Sequence, residues 1–244
     1  MKPILSIMLF LTLGLTSGAL ALAGSSAQQG AVEFRYDILR NGIPIGDHQV
    51  VLQRDGEHLR ASCRSRMDIR FFGFTVYRFR YDAEEVWDDA GLRTLSVRLD
   101  DDGEQSDIEG RREGERFRWT VDGEVNREEA MPVFPTNHWN PDIVAQDRVL
   151  NTLTGNMNRV SVQPSATPSD YGEAREFSFE GELRLVTRYD PVGTWLGMMF
   201  EGRDGSTIEY RCRNCDREDD LMTALRADFT SERDGPAQWR RTDR

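Results

Sequence analysis

His138 is the side chain best placed for chemistry in this sequence. It lies in the longest irregular stretch, Met131 to Pro141, directly before Trp139 and Asn140. A histidine just before a helix N-terminus is favoured in its neutral form by the helix dipole, as a general base or hydrogen-bond donor requires. Two interpretations stay open. Either His138, Trp139 and Asn140 contact a ligand or substrate, or Asn140 caps the helix, Trp139 closes the end of the domain and His138 bonds a carbonyl.

Arginines on two adjacent predicted strands form a second candidate site. They are Arg64, Arg66, Arg70, Arg78 and Arg80. Lining a groove, they would hold an anionic head group, because a guanidinium binds carboxylate or phosphate through two parallel hydrogen bonds. Alternatively they pair with nearby acidic residues, Glu85 among them, in a cross-strand ladder. On the first interpretation, Arg78 and Arg80 bind the ligand together with Tyr77 and Tyr81.

Known catalytic and cofactor-binding motifs are absent after the first 23 residues. The sequence has no G-x-S-x-G elbow, P-loop, H-E-x-x-H motif or glycine-rich dinucleotide fingerprint. The histidines other than His138 are His48 and His58, which lie in or beside polar-face positions of early strands, where we expect solvated surface residues. We therefore predict no cofactor. A non-catalytic function is favoured, and an enzyme stays open as an alternative.

The elements that must position these residues are β-strands. Apolar and polar residues alternate along 32–39, 43–52, 59–72 and 74–87, and along shorter runs up to residue 212. This alternation is typical of a sheet with one buried face, and Asn-Gly and Asp-Gly pairs between the runs are hairpin turn signals. The pattern predicts an all-β fold: a single antiparallel, strongly curved sheet forming a barrel or half-barrel meander, with one short helix near 141–150.

The first 23 residues are predicted to be a signal peptide. Lys2 precedes an apolar run from Ile4 to Leu15, and cleavage is expected after Ala23 in Ala21-Leu22-Ala23. The run is shorter than the roughly 20 residues of a spanning helix, so we expect no stable membrane span. We predict a periplasmic protein with a flexible stretch at 24–31, a β domain at 32–215 and a charged, partly disordered tail at 216–244.

Charge and cysteine content limit the partners. The formal net charge of −11 argues against a nucleic-acid partner, because phosphate binding requires a basic surface. The cysteines are Cys63, Cys212 and Cys215, for which we expect one disulfide and one remaining thiol in an oxidising compartment, with the pairing left open. A zinc site would need further ligands beyond the C-x-x-C pair, so we predict no metal site.

Three stretches resemble one known family. The segment from Tyr36 to Gly46, followed by His48, is similar to its opening hairpin. The segments from Met67 to Trp87 and from Trp139 to Gly155 are similar to its central strands and its mid-chain loop and helix. Over about Val32 to Arg211 the chain thus resembles the uncharacterised bacterial exported family known as domain of unknown function 6134. The resemblance implies an exported β-rich protein and brings no activity, cofactor or catalytic residue with it.

Three functions are consistent with these observations. The first is non-catalytic binding of a lipid or other hydrophobic or amphiphilic small molecule inside the curved sheet. The second is a hydrolase or isomerase centred on His138, with a carboxylate brought within hydrogen-bond reach by folding. The third is a structural or interaction module of an envelope assembly, which would present an exposed apolar patch or an unprotected edge strand. Partner proteins are not indicated by the sequence.

Overall fold

The computed structural model describes residues 31–165 and 173–215. The predicted signal peptide, nearly all of the stretch at 24–31 and the tail at 216–244 lie outside the described residues. Ala31 already belongs to the first strand, one residue before the predicted start of the β domain.

The described residues form fourteen strands and one short helix. The strands are β1 (Ala31–Arg40), β2 (Ile43–Asp55), β3 (His58–Phe71), β4 (Phe74–Asp88), β5 (Gly91–Asp101), β6 (Glu104–Glu113), β7 (Arg116–Val121), β8 (Val125–Ala130), β9 (Arg148–Leu150), β10 (Met157–Pro164), β11 (Arg175–Gly181), β12 (Leu185–Tyr189), β13 (Trp195–Glu201) and β14 (Thr207–Cys212).

All fourteen strands belong to one antiparallel sheet. Its strand order is β8-β7-β6-β5-β4-β3-β2-β1-β14-β13-β12-β11-β10-β9. Neighbours along the chain pair with each other except where β8 is followed by β9, and a ladder between β1 and β14 joins the first strand to the last. The sheet is therefore a meander whose terminal strands lie side by side in its middle.

The predicted turn signals correspond to hairpin turns with positive φ. Asn41 and Gly42 have φ of 50° and 80°, and Asp102 and Gly103 have φ of 57° and 98°. This left-handed conformation suits the right-handed twist of the flanking strands, and asparagine, aspartate and glycine adopt it at low cost. The turn between β3 and β4 has the same form with Phe72, at φ 47°, in the first position.

The two edges of the sheet approach each other and are joined by side chains. Arg148 on β9 forms an ion pair of 2.7 Å with Glu129 on β8. The indole nitrogen of Trp119 donates to the carbonyl of Gly155 at 2.9 Å. A Cβ on Gly155 would lie 2.4 Å from Val121 Cγ2, so only glycine permits this approach. The predicted all-β, strongly curved half-barrel is thus confirmed.

Because apolar and polar residues alternate along the strands, the apolar side chains lie on one face of the sheet and form a continuous core. The core includes Tyr36, Ile38, Val50, Leu95, Ile108, Phe117, Val149, Leu150, Phe179 and Tyr189. One end of the half-barrel is filled by Trp87, Phe134 and Trp139, with centroids of the other two rings 5.4 and 5.7 Å from that of Trp87. The interior is therefore solid at this end.

The helix is shorter than the sequence predicts. It is a 3-10 helix at Pro141–Ala145, capped by Asn140 as expected, and residues 148–150 belong to β9. Leu150 is buried in the core as a strand residue, so the apolar side chains of this segment are buried without a longer helix. In the part of the chain that the structure describes, no helix is long and apolar enough to cross a membrane.

Candidate functional site

A cavity of about 830 Å³ lies inside the half-barrel. Its walls are mostly apolar and come from β2 to β4 on one side and from β12 to β14 on the other. The apolar wall residues include Ile45, Met67, Ile69, Phe79, Leu185, Trp195, Met198, Phe200 and Ile208. The cavity opens at the end of the sheet that carries the turn between β3 and β4 and the turn between β13 and β14. We refer to this opening as the mouth.

Polar residues surround the mouth, and most of them form ion pairs or hydrogen bonds. They are Arg40, Arg70, Tyr77, Asp101, Arg184, Arg203 and Asp204. The Tyr77 hydroxyl donates to Asp101 at 2.6 Å, and Arg203 pairs with the same carboxylate at 3.2 Å. Arg40 pairs with Asp204, whose pKa is lowered by hydrogen bonds from Ser206 and Arg40. The mouth therefore carries four guanidinium groups and two carboxylates.

His48 lies at the inner end of the cavity, although the sequence predicts a solvated surface residue. His48 lies two and four residues before Val50 and Leu52, so all three side chains point to the same, core-facing side of β2. This alternation could have predicted the burial of His48 from the sequence. Its Nδ1 lies 2.7 Å from the hydroxyl oxygen of Ser65, and its Nε2 has no hydrogen-bond partner among the described residues. Burial, and secondarily the nearby His138, lowers the pKa of His48 to about 3.

His138 also lines the cavity, at φ 57° and almost fully buried. Its carbonyl accepts a hydrogen bond of 2.8 Å from the Tyr189 hydroxyl, which holds the backbone in this conformation. Its ring packs edge-on against Phe179 and nearly parallel to Trp195. Neither ring nitrogen has a hydrogen-bond partner among the described residues. Burial lowers the pKa of His138 to about 4, so burial rather than a helix dipole keeps the imidazole neutral.

Glu85 organises the segment that carries His138, and sequence reasoning missed this role. It lies on the inner face of β4 with 1% exposure, although the sequence suggested an outer-face partner for arginine. Its carboxylate accepts hydrogen bonds from Asn137 Nδ2, Trp87 Nε1 at 2.7 Å and Trp139 Nε1 at 3.0 Å. Burial raises the pKa of Glu85 to about 7 against the opposing effect of these donors. Glu85 lies two residues before the buried Trp87, and this alternation could have predicted its burial from the sequence.

The network continues from Glu85 to the cavity surface. Asn137 Oδ1 accepts a hydrogen bond of 2.6 Å from the Tyr81 hydroxyl, which lies 2.9 Å from Thr152 Oγ1. Thr152 Oγ1 lies 3.1 Å from Thr136 Oγ1. Four of these side chains line the cavity. The described residues at the inner end are therefore neutral hydroxyl, amide and imidazole groups, whereas the arginines that line the cavity lie at the mouth.

Of the residues predicted to contact a ligand, three line the cavity: Tyr77, Tyr81 and His138. Trp139 is buried against Trp87 and donates to Glu85, which is a structural position. The Asn140 side chain accepts from the backbone nitrogen of Asp142 at the start of the 3-10 helix. Both residues thus stabilise the segment that carries His138, and neither lines the cavity.

Arg78 and Arg80 do not line the cavity, because alternation places them on the outer face of β4. Arg80 binds both carboxylate oxygens of Asp68 at 2.8 Å, and Arg78 pairs with the same residue at 3.6 Å. Arg66 makes a similar bidentate pair with Asp82. The ion-pair ladder is therefore the arrangement adopted, and the groove suggested for these arginines does not form.

The cysteine pairing left open by the sequence is resolved. Cys212 and Cys215 form a disulfide, and Cys63 is a buried free thiol on β3. Burial raises the pKa of the Cys63 thiol, and the nearby carboxyl groups of Glu85 and Glu84 add to this effect. Among residues 31–165 and 173–215, no cluster of three or more histidine, cysteine, aspartate or glutamate side chains is arranged to hold a metal ion.

Comparisons with known proteins place the chain in a family. The model of the family described as Domain of unknown function (DUF6134) matches residues 36–213. No curated protein matches the chain. A solved structure, the beta-barrel-like protein of domain of unknown function DUF1849 from Brucella abortus, has 9% sequence identity and a TM-score of 0.48, over 74% of this chain and 94% of that chain. The match to the family model covers most of the chain and confirms the resemblance seen in the sequence: the chain belongs to the family described as Domain of unknown function (DUF6134).

Proposed function

We propose that this protein binds a hydrophobic or amphiphilic small molecule in the interior of its curved sheet, without catalysing a reaction. The observation that carries the proposal is the cavity of about 830 Å³ with apolar walls. Sites for small molecules typically have this size, are mostly apolar and contain a few polar groups that fix orientation. The predicted signal peptide would place this binding outside the cytoplasm.

The inner end of the cavity defines the polar group that the ligand should carry. A neutral imidazole has one donor and one acceptor nitrogen, and both nitrogens of His138 lack a partner among the described residues. Leaving such a buried group unsatisfied costs about 1–3 kcal/mol. A ligand hydroxyl or amide would hydrogen-bond one of these nitrogens, whereas a carboxylate would be desolvated with no cation beside it. A lipid with a neutral head group fits this end best.

Binding is tested with two fluorescent probes in solution. We expect saturable binding of one molecule of N-phenyl-naphthylamine, a neutral probe, and weaker binding of dansyl-undecanoic acid. Met198→Trp places an indole in the cavity wall and should abolish binding. Val192→Trp adds the same group at an exposed turn and should leave binding unchanged. Thermal unfolding verifies that both variants are folded. If neither probe binds the wild type, or if Met198→Trp binds normally, the cavity is not a ligand site.

A hydrolase is a second candidate, and one contact supports it. The Ser65 hydroxyl lies 2.7 Å from Nδ1 of the neutral His48, as a nucleophile beside a general base requires. A hydrolase centred on His138 was expected to have a carboxylate within hydrogen-bond reach of this residue, but among the described residues neither ring nitrogen of His138 has a hydrogen-bond partner. The test is hydrolysis of p-nitrophenyl esters of increasing chain length. Activity lost in Ser65→Ala and kept in Thr136→Ala would replace the binding proposal with an enzyme.

A further inference from the structure

The hairpin of β3 and β4 extends beyond its neighbours at the mouth. On one side the last pair between β2 and β3 is Gly46 with Met67. On the other side the last pair between β4 and β5 is Phe79 with Asp101. Residues 68–78 therefore form a two-stranded ribbon that is supported by the rest of the sheet only at its base.

The tip of this ribbon is apolar and exposed to solvent. Phe72, Phe74 and Val76 are 86%, 75% and 54% exposed. Exposed apolar patches on soluble proteins mark interaction surfaces, and a projecting hairpin with two phenylalanines would favour aggregation if it had no partner. Phe72 occupies a left-handed turn position that asparagine or aspartate fills in the turns after β1 and β5. The aromatic side chain is therefore placed at the tip despite the local backbone preference.

The charge of the ribbon is opposite to that of the whole protein. The formal net charge of the chain is −11, yet residues 68–78 contain Arg70 and Arg78 and one acidic residue, Asp68, which pairs with Arg78. Arg70 is exposed, close to the tip, and lines the mouth. An exposed aromatic tip beside arginine is complementary to an anionic lipid surface, where aromatic rings enter the interface and each guanidinium near the surface contributes about 1 kcal/mol.

We infer that the ribbon at 68–78 docks this protein on the surface of a bilayer that contains anionic lipids. Phe72 and Phe74 enter the interface, and Arg70 contacts lipid phosphates. Since Arg70 and Val76 also line the mouth, docking turns the cavity toward the membrane and gives a hydrophobic ligand a path that avoids water. The inference stands on the ribbon alone and does not depend on the proposed function.

The test is flotation of the purified protein with vesicles. Wild type should float with vesicles of equal parts phosphatidylcholine and phosphatidylglycerol, and much less with phosphatidylcholine alone. Phe72→Ser/Phe74→Ser should weaken partitioning about a hundredfold, because tenfold corresponds to about 1.4 kcal/mol and each of the two phenylalanines contributes at least that when buried. Val192→Ser, which removes an exposed apolar residue from the turn before β13 at the opposite end of the sheet, should float like wild type.

A second measurement separates insertion from adsorption. In Phe74→Trp, the new indole should shift its emission to shorter wavelength on addition of anionic vesicles and be quenched by brominated lipid. Arg70→Gln should reduce the fraction of protein that floats with anionic vesicles. It should also make this fraction less sensitive to salt, because the lost contact with lipid phosphates is electrostatic. Absence of flotation by wild type, or equal flotation of the double serine variant, would overturn the inference. A concentration-dependent dimer abolished in the double variant, without flotation, would overturn it in favour of a second copy as partner. Probe binding in solution is measured separately, so each proposal can fail alone.

Discussion

The carboxylate of Glu85 on β4 accepts a hydrogen bond from the side-chain amide of Asn137, the residue immediately before His138. This contact ties the irregular segment to the sheet, and the indole of Trp139 binds the same carboxylate from the other side of His138. Glu85 therefore fixes the residues on both sides of His138, while the Tyr189 hydroxyl binds the His138 carbonyl.

Glu85→Gln should change how stability depends on pH. The pKa of Glu85 is about 7 in the folded protein against an ordinary value of 4.5. Between these values the unfolded chain releases its proton while the folded protein keeps it, so the free energy of unfolding falls as pH rises from 4.5 to 7, by at most about 1.4 kcal/mol per pH unit. Glutamine does not titrate, so this component should disappear in urea unfolding at pH 5 and pH 7.5. An unchanged slope would contradict the assignment.

His48→Gln/His138→Gln should have the opposite effect on the acid side. The pKa values of His48 and His138 are about 3 and about 4, against 6.5 in the unfolded chain. Below pH 6.5 the unfolded chain takes up protons that the folded protein excludes, so the free energy of unfolding falls with falling pH, on the order of 1 kcal/mol per pH unit for each histidine. The double variant should lose less stability between pH 6.5 and pH 5 than wild type. Equal losses in the same urea titration would exclude the histidines as the cause.

Arg80→Ala should leave ligand binding unchanged. Arg80 lies on the outer face and binds Asp68, so its removal should lower the free energy of unfolding by about 1 kcal/mol, as expected for a half-exposed ion pair. Arg70→Ala at the mouth is the matched comparison and should weaken binding of dansyl-undecanoic acid specifically. Titration of both variants with the two probes tests this. Weaker binding of both probes by a folded Arg80→Ala protein would contradict this prediction and support the hypothesis that the arginines bind the ligand.

Cys63 should not react in the folded protein. It is buried with a raised pKa, and the other two cysteines form the disulfide. Ellman's reagent should therefore detect no thiol in the native protein and one per chain in denaturant. Cys212→Ser/Cys215→Ser should lower the free energy of unfolding by about 2 kcal/mol or less, because the disulfide closes a very short loop. Rapid reaction of one thiol in the native state would show that Cys63 is accessible.

The sequence alone was sufficient for the fold class, because strand formation depends on local alternation and on turn residues that need no distant partner. The runs from Val32 to Trp87 and the Asn41-Gly42 and Asp102-Gly103 turns lie where they were predicted. The family was likewise evident from the residues. The same alternation also contained the burial of His48 and Glu85, which share the parity of their core neighbours, although charge and polarity argued for the surface.

Only the tertiary structure decided which residues meet at the cavity. His48 and His138 lie on different elements and both contact Trp195, and this meeting depends on how far the sheet curls. It also depends on pairing between strands far apart in the sequence, such as β1 with β14, which no local pattern encodes. The tertiary structure also leaves the ribbon tip exposed, because the hairpin of β3 and β4 extends beyond the strands on either side. Local periodicity determines which face of the sheet each side chain lies on, whereas the curling of the sheet determines which of the side chains on the inner face meet in the cavity.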